Sequence, residues 1–185
     1  MSKFLRWVFA GALLTGLAGC AHKPLLSGAS GFYLVDEGFY RGPRPMEDEW
    51  SELTKLGVKT VISLEEDAAR VAEERGIVEG LGMHFSSLPM SLYERPADST
   101  VIQFLETVLN RGAQPVFLHC ESGKDKTGTL VAVYRVAVQG WGPKEGYHEA
   151  KRFGFWPYRG DAELKKFIHQ LKDKKIFVEK AQERR

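Results

Sequence analysis

The sequence predicts an α/β fold: a single domain with a mainly parallel central sheet flanked by helices. Three observations carry this. Short apolar runs rich in β-branched residues, above all 58–64 (VKTVISL) and 116–118 (VFL), have strand length rather than helix length. Segments of helical periodicity separate them, and strands alternating with helices give a parallel sheet. The length of 185 residues, with 43% hydrophobic and 27% charged residues, suits one domain plus an appendage. No internal repeat is present.

The first residues are not part of that fold. Lys3 and Arg6 precede an apolar core at 7–17, and Leu17-Ala18-Gly19-Cys20 closes it. Residues 1–19 therefore read as a secretory signal. Their end also resembles the bacterial lipobox, in which the cysteine becomes the lipid-modified first residue after cleavage. That resemblance implies a lipid on Cys20 and a membrane anchor. Ala21 after the cysteine, rather than aspartate, implies the periplasmic face of the outer membrane. An anchor that stays uncleaved is the alternative. Against it, the apolar stretch is short for a span, and Gly11, Gly16 and Gly19 weaken its helix.

Charge and cysteine usage narrow the function. The chain has 26 Lys and Arg against 24 Asp and Glu, and loss of Lys3 and Arg6 with the signal balances the two. No general polyanion coat is implied, so nucleic acid is not an expected partner. With Cys20 acylated, Cys120 is the only other cysteine. A lone thiol cannot form an internal disulfide, although an exported protein can use one. This points to a chemical task for Cys120.

The elements follow in order. Residues 20–31 (CAHKPLLSGASG) are a lipidated, aperiodic tether. Residues 32–34 and 39–40 suggest two short strands around the turn Asp36-Glu37-Gly38. Residues 40–45 (YRGPRP) read as a stiff loop, with Pro45 opening a helix. That helix would bury Trp50, Leu53 and Leu56 and stop at Gly57. Residues 58–64 are a central strand, and 67–79 form a charged, solvated helix. Residues 83–89 suggest another strand. A loop at 90–96 leads to Asp98 or Ser99 as helix cap, with Val101, Ile102, Leu105, Val108 and Leu109 on one face. After the strand at 116–118 comes a helical pattern through Leu130, Val131, Val133, Tyr134, Val136 and Ala137. Residues 140–143 (GWGP) turn into a helix stopping near Gly154. Asp161 caps a last helix carrying Leu164, Phe167, Ile168 and Leu171. Residues 172–185 are a charged, fraying tail.

The chemistry concentrates at 116–129 (VFLHCESGKDKTGT). A buried strand delivers Cys120 into a tight loop around Gly123, and a helix follows at once. Strand, loop and helix N-terminus bind an oxyanion, because free N–H groups point inward and the helix dipole adds positive potential. The same field favours a thiolate at the loop's base. A nucleophile beneath an anion cradle is placed to attack phosphorus.

Residues 119–128 (HCESGKDKTG) resemble the His-Cys-x-x-Gly-x-x-Arg-Thr-Gly signature of the cysteine-dependent protein tyrosine phosphatase superfamily. The segments YRGPRP (40–45) and GVKTVISL (57–64) are similar to the small dual-specificity-type members, including those acting on inositol phosphates. The resemblance covers roughly residues 32–171. It implies the compact phosphatase fold of dual-specificity size and hydrolysis of phosphate monoesters through a cysteinyl-phosphate intermediate. It implies no cofactor and no metal. One position departs: the signature arginine is Lys126, a point charge in place of a planar fork.

Residue by residue, the resemblance makes Cys120 the nucleophile. Glu121, Ser122, Gly123, Lys124, Asp125 and Lys126 form the phosphate loop. Thr127 is placed to steady the leaving thiolate, or simply to cap the helix. His119, whose side chain alternates away from that of Cys120, braces the loop. Gly123 and Gly128 let the backbone approach phosphate. A general acid must protonate the leaving group. Relatives use an aspartate on a loop before the cysteine strand, but residues 87–91 (SLPMS) hold no carboxylate. Asp125, Glu94 and Asp98 are the candidates, and helix capping is the plainer role for Asp98. Arg41, Arg44, Arg95 and Lys124 are the basic residues expected to rim the pocket. Such a rim suits a phosphorylated protein or, better, an inositol polyphosphate. Two other functions remain: a phosphate-binding protein impaired by Lys126, and a sulfurtransferase of the rhodanese kind. His119 and Thr127-Gly128 argue against the latter.

Overall fold

In the computed structural model, which describes residues 31–156, 162–171 and 175–183, β5 (Val116–Cys120) is the central strand of a five-stranded sheet. The signal, Cys20, residues 20–30 of the tether and Asp161 lie outside the described residues. The strands β1 (Tyr33–Asp36), β2 (Phe39–Pro43), β3 (Thr60–Ser63) and β4 (His84–Ser87) complete it in the order β1-β2-β5-β3-β4. Only β1 is antiparallel, a hairpin partner of β2 across Glu37-Gly38; β2, β5, β3 and β4 all run parallel. The expected mainly parallel sheet is what forms.

Seven helices are described: α1 (Trp50–Lys55), α2 (Ala68–Gly80), α3 (Asp98–Leu109), α4 (Asp125–Ala137), α5 (Pro143–Arg152), α6 (Ala162–Gln170) and α7 (Lys175–Glu183). Alternation along β5 divides the core. Val116, Leu118 and Cys120 face a large cluster with Leu105, Leu130, Val133 and Leu164. Phe117 faces a smaller cluster with Trp50, Leu53, Val61 and Val78. Every side chain of β5 is buried, as expected of a strand with helices on both faces.

Several sequence expectations change. Strand β2 runs on through Pro43, so Arg41 sits in a strand rather than a loop. Pairing with β5 over five residues outweighs the turn signal of Gly42-Pro43. Pro45 does not open α1, which begins at Trp50. The helix at 98–109 has Ala97 at its cap position, and Asp98 lies inside the first turn, where its carboxylate accepts from Arg95 instead. Helix α2 begins one residue later than expected, with Asp67 as its cap accepting from the Arg70 N–H at 2.9 Å. It is not wholly solvated, for Glu74 and Val78 are fully buried. The tail is not frayed where described. Residues 175–183 are helical, and Ala181 is buried in the main core with Phe177 and Val178 packed beside it. An apolar stripe at i, i+1 and i+4 was hidden there among charges.

Candidate active site

The end of β5 and the start of α4 build the site. Register puts Pro43 beside Cys120 and Arg41 beside Leu118, while Ser63 of β3 flanks His119 on the other side. The loop 121–124 is therefore held between the ends of two neighbouring strands. Cys120 is a free thiol, 3% exposed. Helix α4 begins at Asp125, two residues before Thr127, and is buried along nearly its whole length.

Gly123 fixes the shape of the loop. Its φ is +67°, in the left-handed region, and a Cβ there would lie 2.5 Å from the Gly42 carbonyl and the Pro43 nitrogen. Gly128 has a different reason. A Cβ at that position would meet Ala150 Cβ at 3.2 Å, so this glycine lets α4 and α5 approach. Both glycines thus have a reason in the chain's own packing as well.

Arg41 is 1% exposed, and its Nη2 donates to the carbonyl oxygen of Gly123 at 2.7 Å. The guanidinium carbon stands 4.1 Å above the centre of the Phe153 ring. Burial pushes the guanidinium down to about 10, with the charges of Glu149 and Cys120 opposing. Arg41 is therefore not on a solvated rim; it props the loop from the sheet side.

His119 points the other way. Its Nε2 lies 2.6 Å from Glu74 Oε1, both side chains being buried, and its ring stacks on Phe117. Glu74 also receives Ser63 Oγ at 3.4 Å and has Arg44 Nε at 3.6 Å. Arg44 bonds Glu73 through its side chain and the Glu121 carbonyl through its backbone N–H. Arg44 is committed to these acids rather than free on the rim. The Glu121 side chain, exposed, pairs with Arg70 at 2.8 Å.

Lys126 is 8% exposed, and its ammonium donates to the Leu64 carbonyl at 3.0 Å and to Glu66 Oε2 at 3.2 Å. The end of β3 thus holds two of its three N–H donors. Leu64 also accepts the Met90 N–H, which brings the start of the β4–α3 loop to the same point. Asp125 is half-buried, and its Oδ1 accepts the Trp156 N–H at 2.8 Å. Thr127 Oγ1 is buried without a hydrogen-bond partner among the described residues. Ser122 and Lys124 are exposed, as are Glu94 and Arg95 on the β4–α3 loop. Arg95 pairs with Asp98 and lies over Phe167. The geometry gathers residues 120–127 with Arg41 and Arg44, and leaves Arg95 in its own surface pair.

Three participants escaped the sequence reading: Glu74, Glu66 and Trp156. For Glu74 a signal existed, since it lies four residues before Val78 on the buried stripe of α2. For Glu66 and Trp156 no local pattern distinguishes them.

Comparison with known proteins agrees with this geometry. The chain is 31% identical over 124 residues to the dual specificity protein phosphatase TpbA of Pseudomonas aeruginosa, covering 66% of this chain and 54% of that protein. It is 28% identical over 121 residues to the inositol diphosphatase SIW14 of Saccharomyces cerevisiae, covering 63% and 42% respectively. It thus spans about half of these relatives or less. The crystal structure of P. aeruginosa TpbA shares the fold at a TM-score of 0.70 and 24% identity, over 89% of this chain and 98% of that one. The catalytic core of Siw14 also gives 0.70, at 25% identity over 88% and 96%. The tyrosine phosphatase family matches residues 28–184, most of the chain and all of the site, and this chain belongs to that family.

Proposed function

We propose that the chain is a phosphatase that hydrolyses phosphate monoesters through a cysteinyl-phosphate intermediate. The single observation that carries this is Cys120 at the carboxyl end of β5, directly below a glycine-shaped loop that runs into the N-terminus of α4. Backbone N–H groups of residues 121–126 receive the phosphoryl oxygens. The Cys120 thiolate attacks phosphorus, the P–O bond to the leaving group breaks, and that oxygen takes a proton. Water then attacks phosphorus, the thiolate leaves, and inorganic phosphate departs. Thr127 Oγ1, buried and unpartnered, is the hydroxyl we assign to the leaving thiolate.

Asp125 and Glu94 remain the candidates for the acid. Asp125 keeps one carboxylate oxygen beyond the bond from Trp156, and Glu94 is exposed on the β4–α3 loop. The substrates we propose are phosphotyrosine-type or inositol-polyphosphate monoesters. The names of TpbA and SIW14 support that range. A structure of P. aeruginosa TpbA in complex with pTyr supports it as well. We further propose export and lipid anchoring through Cys20 at the periplasmic face of an outer membrane, supported by Leu17-Ala18-Gly19-Cys20. Family membership leaves the sulfurtransferase reading without support.

One observation favours a second reading, a phosphate-binding protein with impaired turnover. Lys126 has two donors occupied by Leu64 and Glu66, which leaves one for a phosphoryl oxygen. Steady-state hydrolysis of p-nitrophenyl phosphate and inositol hexakisphosphate, wild type beside Cys120→Ser, separates the two. Turnover by wild type and none by the variant supports the phosphatase. Phosphate binding without turnover by either supports the second reading.

A further inference from the structure

A cavity of about 570 Å³ opens on the flank of the loop, between the ends of β1 and β2 and the last turn of α5. Its walls carry Arg41, Lys124 and Arg152, with Tyr33, Phe153 and the backbone of Gly154 between them. Among the described residues, no aspartate or glutamate lines it, and Cys120 does not reach it. Glu149, a buried acid whose charge acts on Arg41, is held in a two-pronged pair with Arg135 at 2.7 and 2.9 Å.

Arg41 is the unusual member. It is a cation shut almost entirely from water, yet it forms no ion pair among the described residues and its Nη1 has no hydrogen-bond partner. Its other prong is used on Gly123. Glu149 and Cys120 offset its burial only in part; a buried charge with no direct ion pair is costly, and an anion nearby relieves that cost. Lys124 and Arg152 are exposed, and their charged ends can swing onto such an anion. The stem of Lys124 lies against Gly154, which keeps its ammonium on this side of the loop.

We propose that this cavity is a second oxyanion site, for a phosphoryl group, separate from the cradle above Cys120 but sharing the segment 122–124 with it. Lys124 and Arg152 make the direct contacts. Arg41 Nη1 is enclosed, so Arg41 contributes its charge from beneath. The proposal rests on the phosphatase reading only in naming phosphate as the anion. A single chemistry has two sources here: a second phosphate of a polyphosphorylated substrate, or free phosphate.

The test uses the full chain carrying Cys120→Ser, which binds without turnover, with and without Arg152→Glu. Arg152 is exposed, so the change is compatible with folding; Arg152→Gln and a melting curve control for it. If the site takes a second phosphate of the substrate, Arg152→Glu weakens inositol hexakisphosphate binding by about tenfold or more, as loss of a charge-assisted contact does. In a Cys120 background the same change then leaves p-nitrophenyl phosphate kinetics within about twofold. If the site takes free phosphate, hexakisphosphate affinity holds, and equilibrium dialysis with inorganic phosphate falls from two bound per chain to one. Unchanged hexakisphosphate affinity together with unchanged phosphate stoichiometry overturns the proposal. Absence of turnover by the Cys120 protein would instead count against the phosphatase reading, because the binding measurements need no turnover.

Discussion

Arg41 and Gly123, 82 residues apart in the chain, are joined by a 2.7 Å hydrogen bond from a buried guanidinium to a loop carbonyl. The bond turns that carbonyl toward the sheet. The loop's shape, which a free loop would hold only part of the time, is thereby tied to the sheet.

Arg41→Met removes this prop and also removes the cost of a buried cation, so the stability terms oppose each other. We expect the urea midpoint to move little. Amide exchange at residues 121–124 should instead speed up by about tenfold, the worth of one charged hydrogen bond at its low end. Unchanged exchange would show that the bond does not hold the loop.

Gly123→Ala should be much worse than Gly57→Ala. Both glycines have positive φ, +67° and +71°. Nothing stands within 4 Å of a Cβ at Gly57, so alanine there costs only the left-handed backbone, about 1–2 kcal/mol. At Gly123 the Cβ overlaps the backbone of Gly42 and Pro43, which sit in the sheet and cannot yield. Denaturant titration of the two variants compares them directly, and equal losses would contradict the 2.5 Å approach.

Lys126→Arg tests the departure in the loop. If Lys126 contributes its one remaining donor to the phosphoryl group, Lys126→Ala lowers kcat by about a hundredfold or more. Lys126→Arg should raise kcat more than it lowers KM, since a guanidinium brings five donors and can keep Leu64 and Glu66 as well. If neither change affects kcat or phosphate affinity, Lys126 serves only to tie α4 to the end of β3.

Glu74→Leu strands His119 and leaves Arg44 without one of its acids. Leaving a buried polar partner unsatisfied costs about 1–3 kcal/mol. Glu74→Gln keeps an acceptor for His119 and should recover much of that loss. Thermal melts of both variants read the difference, and equal melting points would mean that shape alone matters there.

Asp36 gives a pH signature. Burial works to raise its carboxyl, but hydrogen bonds from Tyr134, the Glu37 N–H and Gln139, with the charge of Arg135, outweigh burial and hold it below the usual range. A carboxyl depressed in the folded state adds stability above its unfolded value of about 3.9. That stability is lost as pH falls through the lower, folded value. Asp36→Asn should therefore be less stable than wild type at neutral pH, with the gap closing below about pH 4. A gap that stays constant down to acid would exclude this linkage.

The sequence by itself determined the sheet and the loop. Val116 to Cys120 is a strand with an apolar run at its start, Gly123 needs a conformation other residues resist, and both are properties of neighbouring residues. The stripe Val101, Ile102, Leu105 and Val108 likewise marks the buried face of α3 through its spacing alone. What only the tertiary structure decided is where each charge goes. Arg41 and Arg44 are alike in sequence, two arginines in a proline-rich stretch. Yet strand pairing sends one under the loop to Gly123 and the other out to Glu73 and Glu74. Glu74 looks like any acid of a charged helix until α2 packs it against His119. Lys126 stands at the signature arginine's place in sequence, but only the fold shows that Leu64 and Glu66 take two of its donors. Periodicity is local and writes itself into the sequence, whereas the partner of a buried charge comes from a distant strand or helix, and packing alone brings the two together.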